Sequence, residues 1–202
     1  MNAIRWRNVL YIILGISAVT SICTWYAEGQ FFSIEFVLAC MGNSSTVIGV
    51  VSSIFAFKLW KCKFFKGWLV IVPNLNGVWK GTIKSNWINP ETNQKMPPIE
   101  ATLSIKQSLF NINCVVKTEE SESRSTIANF VINPENQIGK IVYVYQNDSS
   151  LEFRKKSPIH NGTASLNIIR QNENITLVGN YWTDRETTGV MEFNKAIGKD
   201  VP

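Results

Sequence analysis

The sequence predicts two N-terminal transmembrane α-helices followed by an all-β, eight-stranded antiparallel up-and-down barrel. Three observations carry this prediction. Two uncharged runs, Val9 to Trp25 and Phe36 to Phe57, are each long enough to cross a bilayer core of ~30 Å. After Pro73 no such run recurs. From Leu75 onward, short stretches rich in Val, Ile, Thr, Tyr and Phe are separated by clusters of Asn, Gly, Pro and Ser, the pattern of consecutive antiparallel strands.

The spans are placed at about 8–27 and 36–58, within an anchor segment 1–72, and the barrel domain at 73–202. A positive start and an apolar stretch suit a signal peptide, but the bulky residues of "SICTWYAEG" surround any cleavage site, so the first span is expected to be retained. Inside the second span lies a polar seam, "GNSSTVIGVVSS". On a helix, Ser45, Gly49 and Ser53 share one face at intervals of four, the spacing that lets helices approach closely, and Asn43 can hydrogen-bond nearby. Contact between copies of the chain and packing against the first span both satisfy this pattern. The linker "KLWKCKFFKGWLVIVP" then supplies Trp60, Trp68 and lysines suited to a membrane interface.

Charge divides with the architecture. Arg5, Arg7, Lys58, Lys61, Lys63 and Lys66 face only Glu28 and Glu35 in residues 1–72, so this third of the chain holds four of the five net positive charges. The excess flanks membrane spans, where basic residues set orientation, and does not indicate DNA or RNA as a partner. Both termini are therefore expected to be cytoplasmic. Two cysteines, Cys23 and Cys40, fall in the spans, while Cys62 and Cys114 lie far apart, so neither a disulfide framework nor a metal site is indicated.

Eight strands are expected at 77–84, 99–108, 110–119, 125–133, 140–146, 163–171, 174–183 and 188–196, joined by "NPETNQKMPP", "EESES", "NPENQIG", "NDSS", "KKSPIHNG" and "NEN". A closed barrel removes the free edges that an open meander would leave. In the second strand Ile99, Ala101, Leu103, Ile105 and Gln107 share the inward face, Gln107 being its polar exception. In the first, Gly77, Trp79, Gly81 and Ile83 align. In the fifth, Ile141, Tyr143 and Tyr145 oppose Val142 and Val144, so both faces are apolar and the inward one is undecided. Barrels of this size are either filled by side chains or hold one small ligand.

Catalysis finds little support. His160 is the single histidine, in a polar loop without a nucleophile beside it, and no HExxH, GxSxG or phosphate-binding glycine loop occurs. Binding fits better. Trp79, Trp87, Tyr143, Tyr145, Tyr181 and Trp182 can stack on bases or fill a core. The turn "YWTDRETTG" offers Arg185 with Thr183, Thr187 and Thr188 to a phosphate; it reads equally as a hairpin in which Asp184 and Glu186 neutralise that arginine. "SPIHNGTASL" adds His160 as a rim contact or a turn residue, and "EFRKKS" adds Arg154, Lys155 and Lys156 as a basic rim or a solvated face.

The two spans, the basic linker, the opening "LNGVWKGTI" and the closing "LVGNYWTDRETTGVMEF" together resemble the two-transmembrane β-barrel effectors of bacterial cyclic-oligonucleotide-based antiphage signalling systems (CBASS), the SMODS-associated, β-strand-rich effector family. The likeness rests on the architecture and on Gly77, Trp79, Gly81 and Gly179, Tyr181, Thr183, Arg185, Thr187, Gly189, although Gly-x-Trp openings also occur in lipocalin-like barrels. The resemblance implies a cytoplasmic barrel that senses a cyclic dinucleotide made by a cGAS/DncV-like nucleotidyltransferase, and self-assembly that disrupts the inner membrane. From the residues themselves, no enzymatic activity, cofactor or metal is expected. On the barrel reading, the expected ligand-binding residues are Trp79, Gln107, Tyr143, Tyr145, His160, Tyr181, Thr183, Arg185 and Thr187. The competing readings are a membrane-tethered, lipocalin-like binder of an apolar ligand and a ligand-free membrane scaffold.

Overall fold

The computed structural model describes residues 3–27, 33–90, 92–133, 138–155, 157–171 and 174–196. The chain divides into two compact units between Pro73 and Asn74. Among the residues singled out above, Glu28, Lys156, parts of the "NPETNQKMPP", "NPENQIG" and "NEN" turns, and both chain termini lie outside the described residues.

In the first unit, helix α1 (Trp6–Ala27) is followed by α2 (Ile34–Phe57). Ser33 caps α2, its Oγ accepting from the Phe36 amide at 3.2 Å. Leu10, Leu14, Leu38 and Met41 are exposed, and both helices are long and apolar enough to cross a membrane. Helical hydrogen bonding satisfies the backbone without water. The polar side chains follow suit: Thr20 Oγ1 donates to the Ile16 carbonyl and Ser45 Oγ to that of Met41. Past α2 the chain makes two short 3-10 turns, Leu59–Lys61 and Lys63–Phe65, and returns to its own beginning. There the Arg5 amide donates to the Leu69 carbonyl and the Ile71 amide to that of Ala3, both at 2.9 Å, around an antiparallel bridge between Ile4 and Val70.

The second unit is the expected closed barrel. Strands β1 (Gly77–Ser85), β2 (Ile99–Gln107), β3 (Ile112–Lys117), β4 (Ser121–Asn133), β5 (Ile138–Ser149), β6 (His160–Gln171), β7 (Asn174–Thr183) and β8 (Thr188–Lys195) each pair antiparallel with the next, and β8 closes on β1. Closure leaves no unpaired edge. Alternation holds in β1 and β2, where Trp79, Leu103 and Ile105 point into the lumen. For β5 the structure decides the open question: Ile141, Tyr143 and Tyr145 are buried, while Val144 is exposed. The lumen around them is filled by Leu103, Cys114, Leu166, Leu177 and Phe193. Each fully buried side chain of this kind stabilises the fold by about 1.5–3 kcal/mol.

Two expectations need correcting. The stretches read as loops, "EESES" and "NDSS", are mostly strand: β4 begins at Ser121 and pairs residue by residue with β5 out to Ser149. The turn itself is only Thr118 to Ser121, sealed by the Thr118 amide on the Ser121 carbonyl at 2.9 Å. His160 likewise stands in no loop; it opens β6, opposite Asn147. A bulge between Ser125 and Ile127 then resets the alternation in β4, so that Ser121, Ser123 and Ser125 face inward before it and Ala128 and Phe130 after it.

Candidate functional site

The expected ligand residues fall at opposite ends of the barrel. At the end where the chain enters β1, Gln107 and Trp79 form a seal. The Leu75 amide donates to Gln107 Oε1 at 2.8 Å, and Trp79 Nε1 donates to the Leu75 carbonyl at 3.0 Å. Asn76 bonds the Gln107 backbone on both sides, and the Lys195 ammonium lies 5.7 Å from the Trp79 ring centroid. Trp79 is wholly buried. Tyr143 sits midway along the lumen, its ring 5.8 Å from that of Tyr145.

The other six, Tyr145, His160, Tyr181, Thr183, Arg185 and Thr187, gather at the opposite mouth, on β5, β6, β7 and the β7–β8 turn. Two glycines fix the aromatic pair. Tyr145 lies opposite Gly162 and Tyr181 opposite Gly189 across neighbouring strands. A Cβ on Gly162 would come within 2.4 Å of the Tyr145 ring, and one on Gly189 within 2.5 Å of Tyr181, so each ring occupies space that any other residue would fill. Burial pushes the Tyr145 phenol well above its ordinary range, with Tyr181 and Asp184 adding to the shift. It is therefore a neutral hydroxyl at physiological pH. The same desolvation raises Tyr143 and lifts the neighbouring Cys114 thiol to about 12.

Arg185 is not neutralised by its own turn. Asp184 Oδ2 instead accepts from the Asn161 amide at 2.9 Å, stapling the turn to β6, and neither Asp184 nor Glu186 forms an ion pair among the described residues. The guanidinium is exposed and donates to Ser157 Oγ at 3.2 Å. Beside it the Thr183 and Thr187 hydroxyls are 2.7 Å apart, while His160 Nδ1 lies 3.0 Å from the Pro158 carbonyl. A cation with donors to spare, adjoining hydroxyls and fixed aromatic rings, can hold a phosphate and a base together.

Facing the lumen on β4, β5 and the turn that precedes β4 is a polar wall that sequence reasoning missed. Asn147 Nδ2 donates to Ser121 Oγ at 3.0 Å and to Ser123 Oγ at 2.8 Å, while Ser149 Oγ donates to Asn147 Oδ1 at 3.4 Å and Thr118 Oγ1 lies 3.2 Å from Ser121 Oγ. Asn147 and Ser149 are buried. These residues read as turn formers because Ser and Asn dominate turns. The signal available was alternation, which continues through Tyr145, Asn147 and Ser149. A cavity of about 390 Å³ adjoins this wall, lined by Thr118, Ser121, Glu122, Arg124, Ser149 and Arg154 among others. Its cations are engaged: Lys117 and Arg124 contact Glu122 at 2.8 and 2.5 Å, and Arg154 contacts Asp148 at 2.7 Å. Arg185 is thus better placed than they are to meet an anion.

Within the helical hairpin the polar seam divides. Asn43 Nδ2 donates to Thr24 Oγ1 at 3.0 Å and Ser44 Oγ lies 2.6 Å from Thr20 Oγ1, so these two residues tie α2 to α1. Ser45, Gly49 and Ser53 are exposed, the serine hydroxyls bonding to their own helix and no atom beyond it lying within 4 Å of a Cβ placed on Gly49.

Comparison with known sequences bears on both units. The family profile "Cap15, cyclic dinucleotide receptor domain" matches residues 70–195. Similar curated proteins include CD-NTase-associated protein 15 of Staphylococcus schleiferi, 29% identical over 190 residues that span 94% of this chain and 92% of the relative. The protein of the same name from Escherichia albertii is 26% identical over 191 residues, spanning 91% and 93%.

Proposed function

Because this chain belongs to the Cap15 family, whose barrel is a cyclic dinucleotide receptor domain, we propose that it is a membrane effector of CBASS antiphage defence, coupled to a CD-NTase that makes its ligand. A cyclic dinucleotide binds at the barrel mouth, and the bound form assembles through its transmembrane hairpins and disrupts the inner membrane. The observation that carries this reading is the convergence of Tyr145, Tyr181, His160, Thr183, Thr187 and Arg185 at one mouth. The filled lumen below them favours the mouth over the interior as the binding place and leaves little room for a long apolar ligand. We assign Trp79, Gln107 and Tyr143 to holding the barrel in shape. The two ends of the hairpin are tied together and carry the basic residues, which supports a cytoplasmic location for both chain termini.

Ligand binding drives assembly only as far as the ligand prefers the assembled form. Moving from 1% to 99% assembled takes a preference of about 10⁴-fold. The test is titration of the full chain in nanodiscs with a panel of cyclic dinucleotides and a linear dinucleotide control, followed by dye leakage from proteoliposomes. Saturable binding of one cyclic dinucleotide with ligand-dependent leakage is expected. No binding across the panel refutes the receptor role, whereas binding without leakage or association refutes the assembly step alone.

A further inference from the structure

The basic end of the helical hairpin is more than a run of positive charge. No Asp or Glu occurs in residues 1–27 or 36–90, so Arg5, Arg7, Lys58, Lys61, Lys63 and Lys66 have no acidic residue near them in sequence. All six are exposed. The bridge between Ile4 and Val70, with the Arg5 amide on the Leu69 carbonyl, brings the two arginines to the same end as the four lysines. The Asn8 side-chain amide reinforces this by donating to the Trp68 carbonyl.

Between the cations stands an ordered aromatic wedge. Phe65 packs edge-on against Phe55 of α2 at 5.1 Å and against Phe64 at 5.2 Å; Trp68 lies 6.1 Å from Phe64, and its Nε1 donates to the Phe64 carbonyl at 2.8 Å. Phe64 is nonetheless 75% exposed and Trp68 40%. Two exposed rings held rigidly at the end of a membrane-length helix, with lysines on either side, match one environment: rings at the acyl boundary and ammonium groups at the phosphates.

We propose that this collar is a binding surface for anionic phospholipid headgroups, selecting them over zwitterionic ones. A charge bias that merely sets orientation acts during insertion and needs no folded geometry. The tied ends and fixed wedge persist in the folded hairpin, concentrating charge against the headgroup layer, where an anionic surface attracts each basic residue. Free phosphate supplies the charge but nothing for the rings to enter.

The test uses the full chain in neutral detergent, titrated with dioctanoyl phosphatidylglycerol, dioctanoyl phosphatidylcholine and inorganic phosphate, with binding followed by calorimetry at low and high salt. Phosphatidylglycerol should bind about tenfold more tightly than the other two, with salt weakening it. Lys61→Gln/Lys63→Gln/Lys66→Gln should abolish that preference while leaving cyclic dinucleotide binding and barrel melting unchanged, which separates this proposal from the receptor reading. Equal affinity for the two lipids, an undiminished preference in the triple variant, or inorganic phosphate competing as well as the lipid would each overturn it.

Discussion

Replacing Gly162 by Ala tests how the mouth is built. The added methyl would sit 2.4 Å from Cζ and Oη of Tyr145 and 2.9 Å from Cε2, where ordinary contact begins at 3.4 Å. The ring must therefore move by about 1 Å, and overpacking of this kind costs about 1–3 kcal/mol. For a domain of this size that lowers the melting temperature by roughly 4 °C per kcal/mol, or ~4–12 °C. If Tyr145 supports a bound base, losing its position forfeits about 1–3 kcal/mol of stacking, a fall in affinity of about 5- to 150-fold. Urea unfolding and dinucleotide titration of the full chain measure the two effects. A double-mutant cycle with Tyr145→Ala isolates their cause, since the methyl should cost almost nothing once the ring is gone. Equal destabilisation with and without Tyr145, or no destabilisation at all, would refute the packing argument.

Arg185→Ala should change stability by no more than about 0.5 kcal/mol, because the side chain is exposed, yet weaken dinucleotide binding about tenfold or more; titration beside a melting curve separates the two. Trp79→Ala should do the reverse, destabilising the barrel by about 3–5 kcal/mol while the protein that remains folded keeps its affinity. In the hairpin, Gly49→Leu should reduce leakage without affecting hairpin stability or dinucleotide binding, whereas Asn43→Leu, which breaks the contact with Thr24, should weaken the hairpin itself; leakage assays and cross-linking between the helices distinguish them. Raising the pH above 9 should destabilise the barrel. Folding lifts the Cys114 thiol from 9.0 to about 12, so the unfolded chain ionises first; the contribution of this thiol, fully present below pH 9, is lost by about tenfold in the folding constant per pH unit up to 12. Tyr143 and Tyr145, also raised by burial, steepen the fall at higher pH. Cys114→Ala should flatten its onset in pH-dependent urea midpoints.

The architecture was legible because each unit obeys one strong rule: uncharged length for the spans and period-two alternation for the strands. The recognised family was legible for a related reason. Gly179, Tyr181, Thr183, Thr187 and Gly189 all belong to the inward-facing side of a single hairpin, so one geometric constraint accounts for most of the closing motif, the exposed turn residue Arg185 being the exception. What escaped had a physical cause. Both faces of β5 are apolar, and only its neighbours decide between them: Tyr143 and Tyr145 point inward, where Ala128, Ala164 and Gly162 leave room. The bulge in β4 interrupts alternation where "STIAN" gives no warning. Ser121, Ser123, Asn147 and Ser149 carry turn chemistry, and their bonding to one another across β4 and β5 could not be read from local composition. The division of the candidate residues between two ends of the barrel follows from the alternating strand directions of an up-and-down order, which grouping the residues by chemical type overlooks.

The seam between β1 and β8 has a kinetic meaning. Every other pairing in the barrel joins strands adjacent in sequence, whereas Trp79 opposite Lys195 and Gly81 opposite Phe193 join the two ends of the domain. Loop-closure entropy makes such a contact slow and late, because the long connection must be ordered before the contact repays it. Until it forms, two bare edges face the solvent. The opening and closing segments of the barrel, far apart in the chain, thus act as one lock, and a truncation at either side exposes both edges together.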